Sequence, residues 1–182
     1  MIYVVRHGQT DLNKEGRLQG RFGLPLNDQG IEQAEALKME LTDITFDYVF
    51  SSPQERAVQT AEFATGKRAV VDSRLDVFDL GEADRLKKEE VKMAGLIPDA
   101  SVYEGVEDIH SFMERVFSFM EELEENPNFV NKNILISGHR CTTGAIGAYI
   151  NGMPEDQNIL RYSSDNGKYK MYDLNRVSQV IR

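Results

Sequence analysis

The chain begins Met1-Ile-Tyr-Val-Val-Arg-His-Gly-Gln-Thr10, a short apolar run that ends abruptly in polar residues. Residues 2–5 are mostly β-branched, which predicts a strand buried on both faces. The guanidinium and imidazole of Arg6 and His7 follow its carboxyl end, where ligands bind in an open α/β sheet. Arg offers paired donors to a phosphate, and neutral His offers a nucleophilic nitrogen. The tripeptide Arg6-His7-Gly8 therefore suits phosphoryl transfer, although alone it also fits an ordinary strand-to-loop junction.

Length and charge limit the classes of function. The chain has 182 residues, and without a linker or repeat it predicts a single domain over 1–182. Its 21 Lys and Arg against 30 Asp and Glu give a net charge of −9. That charge argues against nucleic acid or an anionic membrane as a partner. A small anionic substrate would need a locally basic site, so each Arg position is informative.

Cysteine content and hydropathy indicate the compartment. Cys141 is the sole cysteine, so an intramolecular disulfide is impossible and a cysteine-based metal site is disfavoured. The sequence shows no basic segment followed by a long apolar stretch, nor an apolar run of bilayer-spanning length. We expect a cytoplasmic protein, and the oligomeric state stays open.

Strand and helix patterns alternate along the chain. Strands are predicted at 2–5, 46–50, 69–71, 133–137 and 168–174, and helices at 28–41, 53–64, 106–125 and 141–150. Between them, 11–26 and 95–105 are predicted as loops and 85–92 as a short solvated helix. The alternation predicts an α/β fold, a three-layer α/β/α sandwich with a mainly parallel sheet.

Three of the predicted strands end near residues that bind phosphate. Arg6 and His7 follow the first strand, Arg56 begins the helix after the second, and His139 follows the strand at 133–137. The carboxyl ends of parallel strands meet at one edge of a sheet. We therefore expect these four side chains to converge.

Four stretches also carry a family resemblance. They are Arg6-His-Gly-Gln-Thr-Asp-Leu-Asn13; Gln19-Gly20 with Pro25-Leu26 and Gly30; Ser51-Ser-Pro-Gln-Glu-Arg-Ala-Val-Gln-Thr-Ala61; and Ser137-Gly-His139. In this order and at this spacing, they make the chain resemble the histidine phosphatase superfamily, the phosphoglycerate-mutase-like proteins. The resemblance covers the chain from its start to about residue 150 and implies that family's fold.

The resemblance implies a two-step transfer without a metal or another cofactor. His7 would take the phosphoryl group from the substrate, and water would then hydrolyse the phosphohistidine. Arg6, Arg56 and His139 would bind the phosphate oxygens, where charge develops in the transition state. Asn13 and backbone donors near Gly20 would complete the pocket.

The general acid departs from the family pattern. The family usually has a Glu two residues after the Leu that begins the third block, and counting from Leu75 that position is Val77. Asp79 would face the same side of an extended chain as Val77, and Glu82 lies on the loop that follows. The sequence leaves open Asp79, Glu82 or no acid at all. If none acts, good leaving groups such as those of aryl phosphates, acyl phosphates or phosphoramidates are favoured, because acid catalysis typically contributes ~10²–10⁴-fold.

A second departure follows His139, where the family commonly has Gly and this chain has Arg140-Cys141. Arg140 could bind an acidic substrate group or point into solvent, and Cys141 is interpreted as a packing residue. The Lys-Glu run at 87–92 lacks the basic character expected of a mutase.

Three functions stay open. The first is a phosphatase acting on small phosphomonoesters, the second a phosphatase of phosphohistidine or another labile phosphoryl group, and the third a phosphate-binding module without catalysis. Retention of His7 favours the two enzymes, because binding alone needs no nucleophile.

Overall fold

A computed structural model describes residues 1–175, so residues 176–182 of the predicted domain lie outside the described part. The strands are β1 (Ile2–Arg6), β2 (Tyr48–Ser51), β3 (Val70–Val71), β4 (Met93–Ala94), β5 (Ile97–Pro98), β6 (Ile134–Gly138) and β7 (Tyr169–Tyr172). The α-helices are α1 (Asp11–Lys14), α2 (Asp28–Glu40), α3 (Glu55–Thr65), α4 (Ile109–Glu125) and α5 (Arg140–Asn151).

Within the described residues, five strands form the main sheet in the order β3-β2-β6-β1-β7. The pairs β1–β6, β2–β6 and β2–β3 are parallel, and β7 runs antiparallel to β1. The register pairs Arg6 with Gly138 and Ser51 with Ser137. The residues that follow β1, β2 and β6 therefore leave the sheet at one edge, as the sequence predicted.

Side chains of the central strands alternate between two cores. On one face Val4 and Ile136 pack with Met120 of α4 and Ile146 of α5. On the other face, Val5 packs in a core that also holds residues of α2 and α3. Because consecutive strand residues point to opposite faces, the apolar run at 2–5 contributes to both cores. The α/β/α sandwich and its mainly parallel sheet are thus confirmed.

A close approach of two loops holds the chain after β1. A Cβ at Gly8 would lie 2.6 Å from the carbonyl oxygen of Gly30, and one at Gly30 would lie 2.2 Å from that of Gln9. Only glycine fits at both positions. Asn27 caps α2 by accepting a hydrogen bond of 2.9 Å from the Gly30 amide. The first turn of α2 therefore fixes the path of the backbone next to His7.

The irregular segments differ most from the sequence prediction. The predicted loop at 11–26 begins with α1, whose amino end is capped by the Thr10 side chain. The predicted helix at 85–92 is reduced to a 3-10 turn at Lys88–Glu90. The predicted loop at 95–105 contains β5, which pairs with β4 in a small hairpin with Gly95 at φ +70°. Turns and caps that a hydrophobic pattern does not record set the conformation of these segments.

Candidate active site

His7 lies directly after β1 and is only 4% exposed. Its Nδ1 atom lies 2.6 Å from the carbonyl oxygen of Gly8. A carbonyl oxygen can only accept, so we assign the ring proton to Nδ1, which leaves a lone pair on Nε2. Burial and the charge of Arg56 lower the pKa of His7 to about 3. The ring is therefore neutral at physiological pH and its Nε2 atom can act as a nucleophile.

His139 follows β6, and its ring centroid lies 5.2 Å from that of His7. Its Nε2 atom is 2.7 Å from the hydroxyl oxygen of Ser52, which also accepts a hydrogen bond from the Gln54 amide. We assign the hydroxyl proton of Ser52 as the donor to Nε2, so that Nδ1 carries the ring proton of His139. Burial, reinforced by Arg56, lowers the pKa of His139 well below its usual value.

Arg6 and Arg56 bring two guanidinium groups to the same place. Arg6 donates from Nη1 to the carbonyl of Ser164, at 3.2 Å, and Arg56 donates from Nη2 to the carbonyl of Gly20, at 2.9 Å. Arg56 is 1% exposed, and burial lowers its pKa to about 10, so it keeps its charge at neutral pH. Burial also lowers the pKa of Arg6.

Two amide side chains face the same space. The Oδ1 atom of Asn13 accepts from the Thr10 amide at 3.0 Å and from Nδ2 of Asn166 at 3.4 Å. The Oε1 atom of Gln19 accepts from the Thr10 hydroxyl and the Leu24 amide, both at 3.0 Å. With each oxygen engaged, the NH₂ groups of Asn13 and Gln19, which both line the cavity, are the ends available to a ligand.

Unpaired donors concentrate around His7. Among residues 1–175, buried side-chain nitrogens without a hydrogen-bond partner are Nε of Arg6, Nε of Arg56, Nδ1 of His139 and Nε2 of Gln19. Buried donors are nearly always paired, so unpaired ones need an explanation such as an absent ligand. Four N–H donors, two of them on charged groups, suit a tetrahedral anion such as phosphate. The structure therefore brings together the four side chains that the sequence predicted to converge.

Gly20 has a different part from the one predicted. Its amide donates to Oδ1 of Asp84 at 2.8 Å, and its carbonyl accepts from Arg56. The Asp84 carboxylate therefore already accepts the hydrogen bond that the Gly20 amide can donate. Gly20 therefore holds Arg56 in place instead of presenting an N–H to the cavity, and the expectation that it contacts the substrate is corrected.

A cavity of about 330 Å³ opens above His7 and His139. The nonpolar side chains along it include Leu18, Val77, Phe78, Leu80, Leu96 and Ile97. Its cationic side chains are Arg6, Arg17, Lys88 and Arg140, so Arg140 lies where a substrate group could reach it. Among the described residues, no Asp or Glu lines the cavity.

Neither predicted acid reaches the cavity. The Oδ1 atom of Asp79 accepts from the Gly81 amide at 3.0 Å, and its Oδ2 atom lies 3.7 Å from Arg21. Glu82 points instead towards the Glu104 amide, at 3.2 Å. Val77 does line the cavity and is 5% exposed. The position of the family's usual acid therefore presents an isopropyl group to the ligand.

Two further residues escaped the sequence prediction. Gln19 stands in one of the quoted motifs, so its position was the available signal. Asn166 lies before β7 and donates to the carbonyl of His7 at 3.0 Å as well as to Asn13. Nothing in its local sequence marks Asn166, because its contacts are more than 150 positions away along the chain.

The fold and the buried donors around His7 define an α/β protein with an anion-binding site at the carboxyl edge of its parallel strands. The family model described as the histidine phosphatase superfamily (branch 1) matches residues 2–181, and the chain belongs to this family. In solved structures its fold is that of phosphoglycerate-mutase-like proteins. The alpha-ribazole phosphatase of Shigella flexneri aligns with a TM-score of 0.76 at 27% identity, over 92% of this chain and 87% of that one.

Relatives in sequence carry both phosphatase and mutase names. The adenosylcobalamin/alpha-ribazole phosphatase of Escherichia coli K12 is 26% identical, over 100% of this chain and 93% of its own length. A protein named "probable phosphoglycerate mutase GpmB" from Escherichia coli O1:K1 is 28% identical, over 84% of this chain and 75% of its own length.

In residues 1–175 no helix combines the length and the hydropathy needed to cross a membrane. In the same residues His, Cys, Asp and Glu side chains form no cluster of three or more that could hold a metal ion.

Proposed function

We propose that this protein is a metal-independent phosphatase that hydrolyses a small phosphomonoester through a phosphohistidine on His7. The observation that carries the proposal is the neutral, buried His7 ring, with its Nδ1 proton bound by Gly8 and unpaired N–H donors around it. A module that only bound phosphate would need the donors, but it would not need a histidine whose free lone pair lies among them.

The first step forms a bond between Nε2 of His7 and phosphorus while the bond from phosphorus to the leaving oxygen breaks. Arg6, Arg56 and His139 donate to the three equatorial oxygens, on which charge is spread. The proton on Nδ1 stays on the ring, and the Gly8 carbonyl stabilises the positive charge that develops there. Fixed donors need no reorganisation during the reaction.

In the second step, water attacks the phosphorus, the bond to Nε2 breaks and inorganic phosphate leaves. The attacking water loses its proton to solvent or to the phosphate itself. A mutase must instead keep the phosphoryl group on the histidine until the substrate is phosphorylated again. Of residues 87–92 the cavity is lined by Lys88 alone, so this run supplies one basic group there and not the several that such a substrate would need, and this supports a phosphatase over a mutase.

The test is release of inorganic phosphate from phenyl phosphate in the presence of excess chelator. His7→Ala should lower kcat by roughly 10⁴-fold or more, as removal of a nucleophile does in other enzymes. His110→Ala, a change of an exposed histidine in α4, serves as the matched control and should behave as wild type. Turnover that survives in His7→Ala, or that requires an added divalent cation, would refute the proposal.

A further inference from the structure

The cavity that holds the phosphate end also limits the leaving group. Under the proposed function, on which this inference rests, Val77 occupies the position of the family's usual proton donor. The side chain is 5% exposed and carries no proton that an oxygen could take. Since no carboxylate among residues 1–175 lines the cavity, a leaving oxygen beside this wall departs without a proton from an acid.

The carboxylate adjacent to Val77 in sequence cannot take over. The Oδ1 atom of Asp76 accepts hydrogen bonds of 2.8 Å from Nε2 of Gln54 and from the Val77 amide. Its Oδ2 atom lies 3.5 Å from Nε of Arg21. To protonate a substrate, Asp76 would have to leave three partners and pass its own backbone. Asp79 is held in the same way by Gly81 and Arg21.

The composition of the wall selects the body of the substrate. Phe78, Leu80, Leu96 and Ile97 face the cavity, and the last two belong to the hairpin that ends in β5. A volume of about 330 Å³ lies at the small end of ligand cavities. A sugar or an amino acid would leave hydroxyl or amino groups against these side chains without partners, which costs free energy. A single aromatic ring would bury its surface there favourably.

Cations at the cavity compensate for the missing acid. Lys88 and Arg140 line the same space as His7, outside the set of groups that bind the phosphate oxygens. Burial, reinforced by the charges of Arg140 and Arg6, lowers the pKa of Lys88. A positive field of this kind stabilises a departing oxyanion, whereas an alkoxide is too basic to leave on that help alone.

We propose that the substrate of this site is an aryl phosphate. Its aryloxy group leaves as a phenolate beside Val77. The bond between phosphorus and the phenolic oxygen breaks, its electron pair stays on that oxygen, and Nε2 of His7 forms the new bond to phosphorus. The phenolate takes its proton from water after release. Lys88 and Arg140 stabilise its charge, and the ring packs against the nonpolar side chains that line the cavity while it is bound.

The experiment compares phenyl phosphate, cyclohexyl phosphate and acetyl phosphate in wild type, Val77→Glu and Val77→Gln. The wild type should prefer phenyl over cyclohexyl phosphate in kcat/KM by roughly 10²–10⁴-fold, the range of general acid catalysis. Across ring-substituted phenyl phosphates, kcat/KM should rise steeply as the pKa of the phenol falls. Phenyl phosphate should also exceed acetyl phosphate, whose leaving group is labile but which has no ring to bury.

Val77→Glu should raise turnover of cyclohexyl phosphate by about 10²-fold or more and flatten the leaving-group series, because it places a carboxyl that can donate a proton beside the leaving oxygen. Val77→Gln has the same shape without the proton and should gain nothing. Thermal melts check that both variants fold. The comparison of ring-substituted phenyl phosphates uses the wild type alone and does not depend on the variants.

The outcomes separate the two proposals. If the wild type hydrolyses phenyl and cyclohexyl phosphate equally well and in a His7-dependent way, the aryl assignment is wrong and the phosphatase stands. If acetyl phosphate is the preferred compound, the site serves a labile phosphoryl group and the aryl assignment is again wrong. If no compound is hydrolysed above the His7→Ala background, both proposals fail.

Discussion

The two ends of the cavity are built in different ways. At the phosphate end, Arg6 ends β1, and His7 and His139 directly follow β1 and β6, two parallel strands that are tied to one another in register. At the leaving-group end, Val77 and Lys88 belong to irregular chain between β3 and β4, where 3-10 turns replace regular elements. The phosphate end resembles a rigid scaffold and the other end a loop placed on it. The comparison predicts that changes on the sheet side alter the chemical step and that changes on the irregular chain alter substrate selectivity.

Among variants that keep the His7 nucleophile, the largest effect is expected at the rigid end, from Arg56→Met. This change keeps the length of a buried side chain but removes the charge and the free Nε donor. Loss of one donor to the transition state typically costs 10²–10³-fold in kcat, and we expect about that on phenyl phosphate. Arg68→Met, at an exposed position after α3, is the control. A fall in kcat of less than tenfold for Arg56→Met would contradict the assignment of the chemical step to the sheet side of the cavity.

The lowered pKa of the buried His7 predicts a smaller effect, which concerns the free energy of unfolding. The pKa of His7 is about 3 in the folded state, below its usual value of 6.5, so the unfolded chain binds more protons between these limits. The free energy of unfolding therefore falls as pH drops from 6.5 towards 3, by about 1.4 kcal/mol per pH unit for this group. Above pH 6.5 the ring is neutral in both states and contributes no slope.

Urea titrations of the phosphate-free protein at pH 6.5, 5.5 and 4.5 test this. His7→Asn removes the titrating ring, so its stability should fall less steeply than that of wild type, by about 1.4 kcal/mol per pH unit. Parallel dependence on pH in the two proteins would mean that His7 is charged in the folded state.

The smallest effects are expected from Asp79→Asn and Glu82→Gln, which act on the loop side. Asp79 binds the backbone amide of Gly81, Glu82 binds that of Glu104, and neither side chain lines the cavity. We expect kcat on phenyl phosphate within about threefold of wild type, far from the ~10²–10⁴-fold that loss of a general acid would cost. A selective loss with cyclohexyl phosphate in either variant would identify an acid that moves into the cavity when substrate binds.

The same comparison explains which parts of the molecule could be predicted. The apolar runs that stop at Arg6 and before His139 predict the two strands and the places where their carboxyl ends lie. They do so because burial on both faces leaves a pattern in the sequence. The sequence points to Asp79 as a general acid because, in an extended chain, its side chain would face the same side as that of Val77. In the structure, Asp79 turns back to the Gly81 amide instead. Local turns of this kind depend on tertiary neighbours that a sequence pattern does not record.

The measurement that tests the account most directly is capture of the phosphorylated protein. Wild type is mixed with phenyl phosphate labelled on phosphorus, quenched within milliseconds and digested at alkaline pH, where phosphohistidine survives. The phosphohistidine route predicts label on the peptide that carries His7 and a burst of phenol ahead of the steady state. It predicts neither in His7→Ala. Steady turnover in wild type with no labelled protein, or label on a different residue, would contradict it.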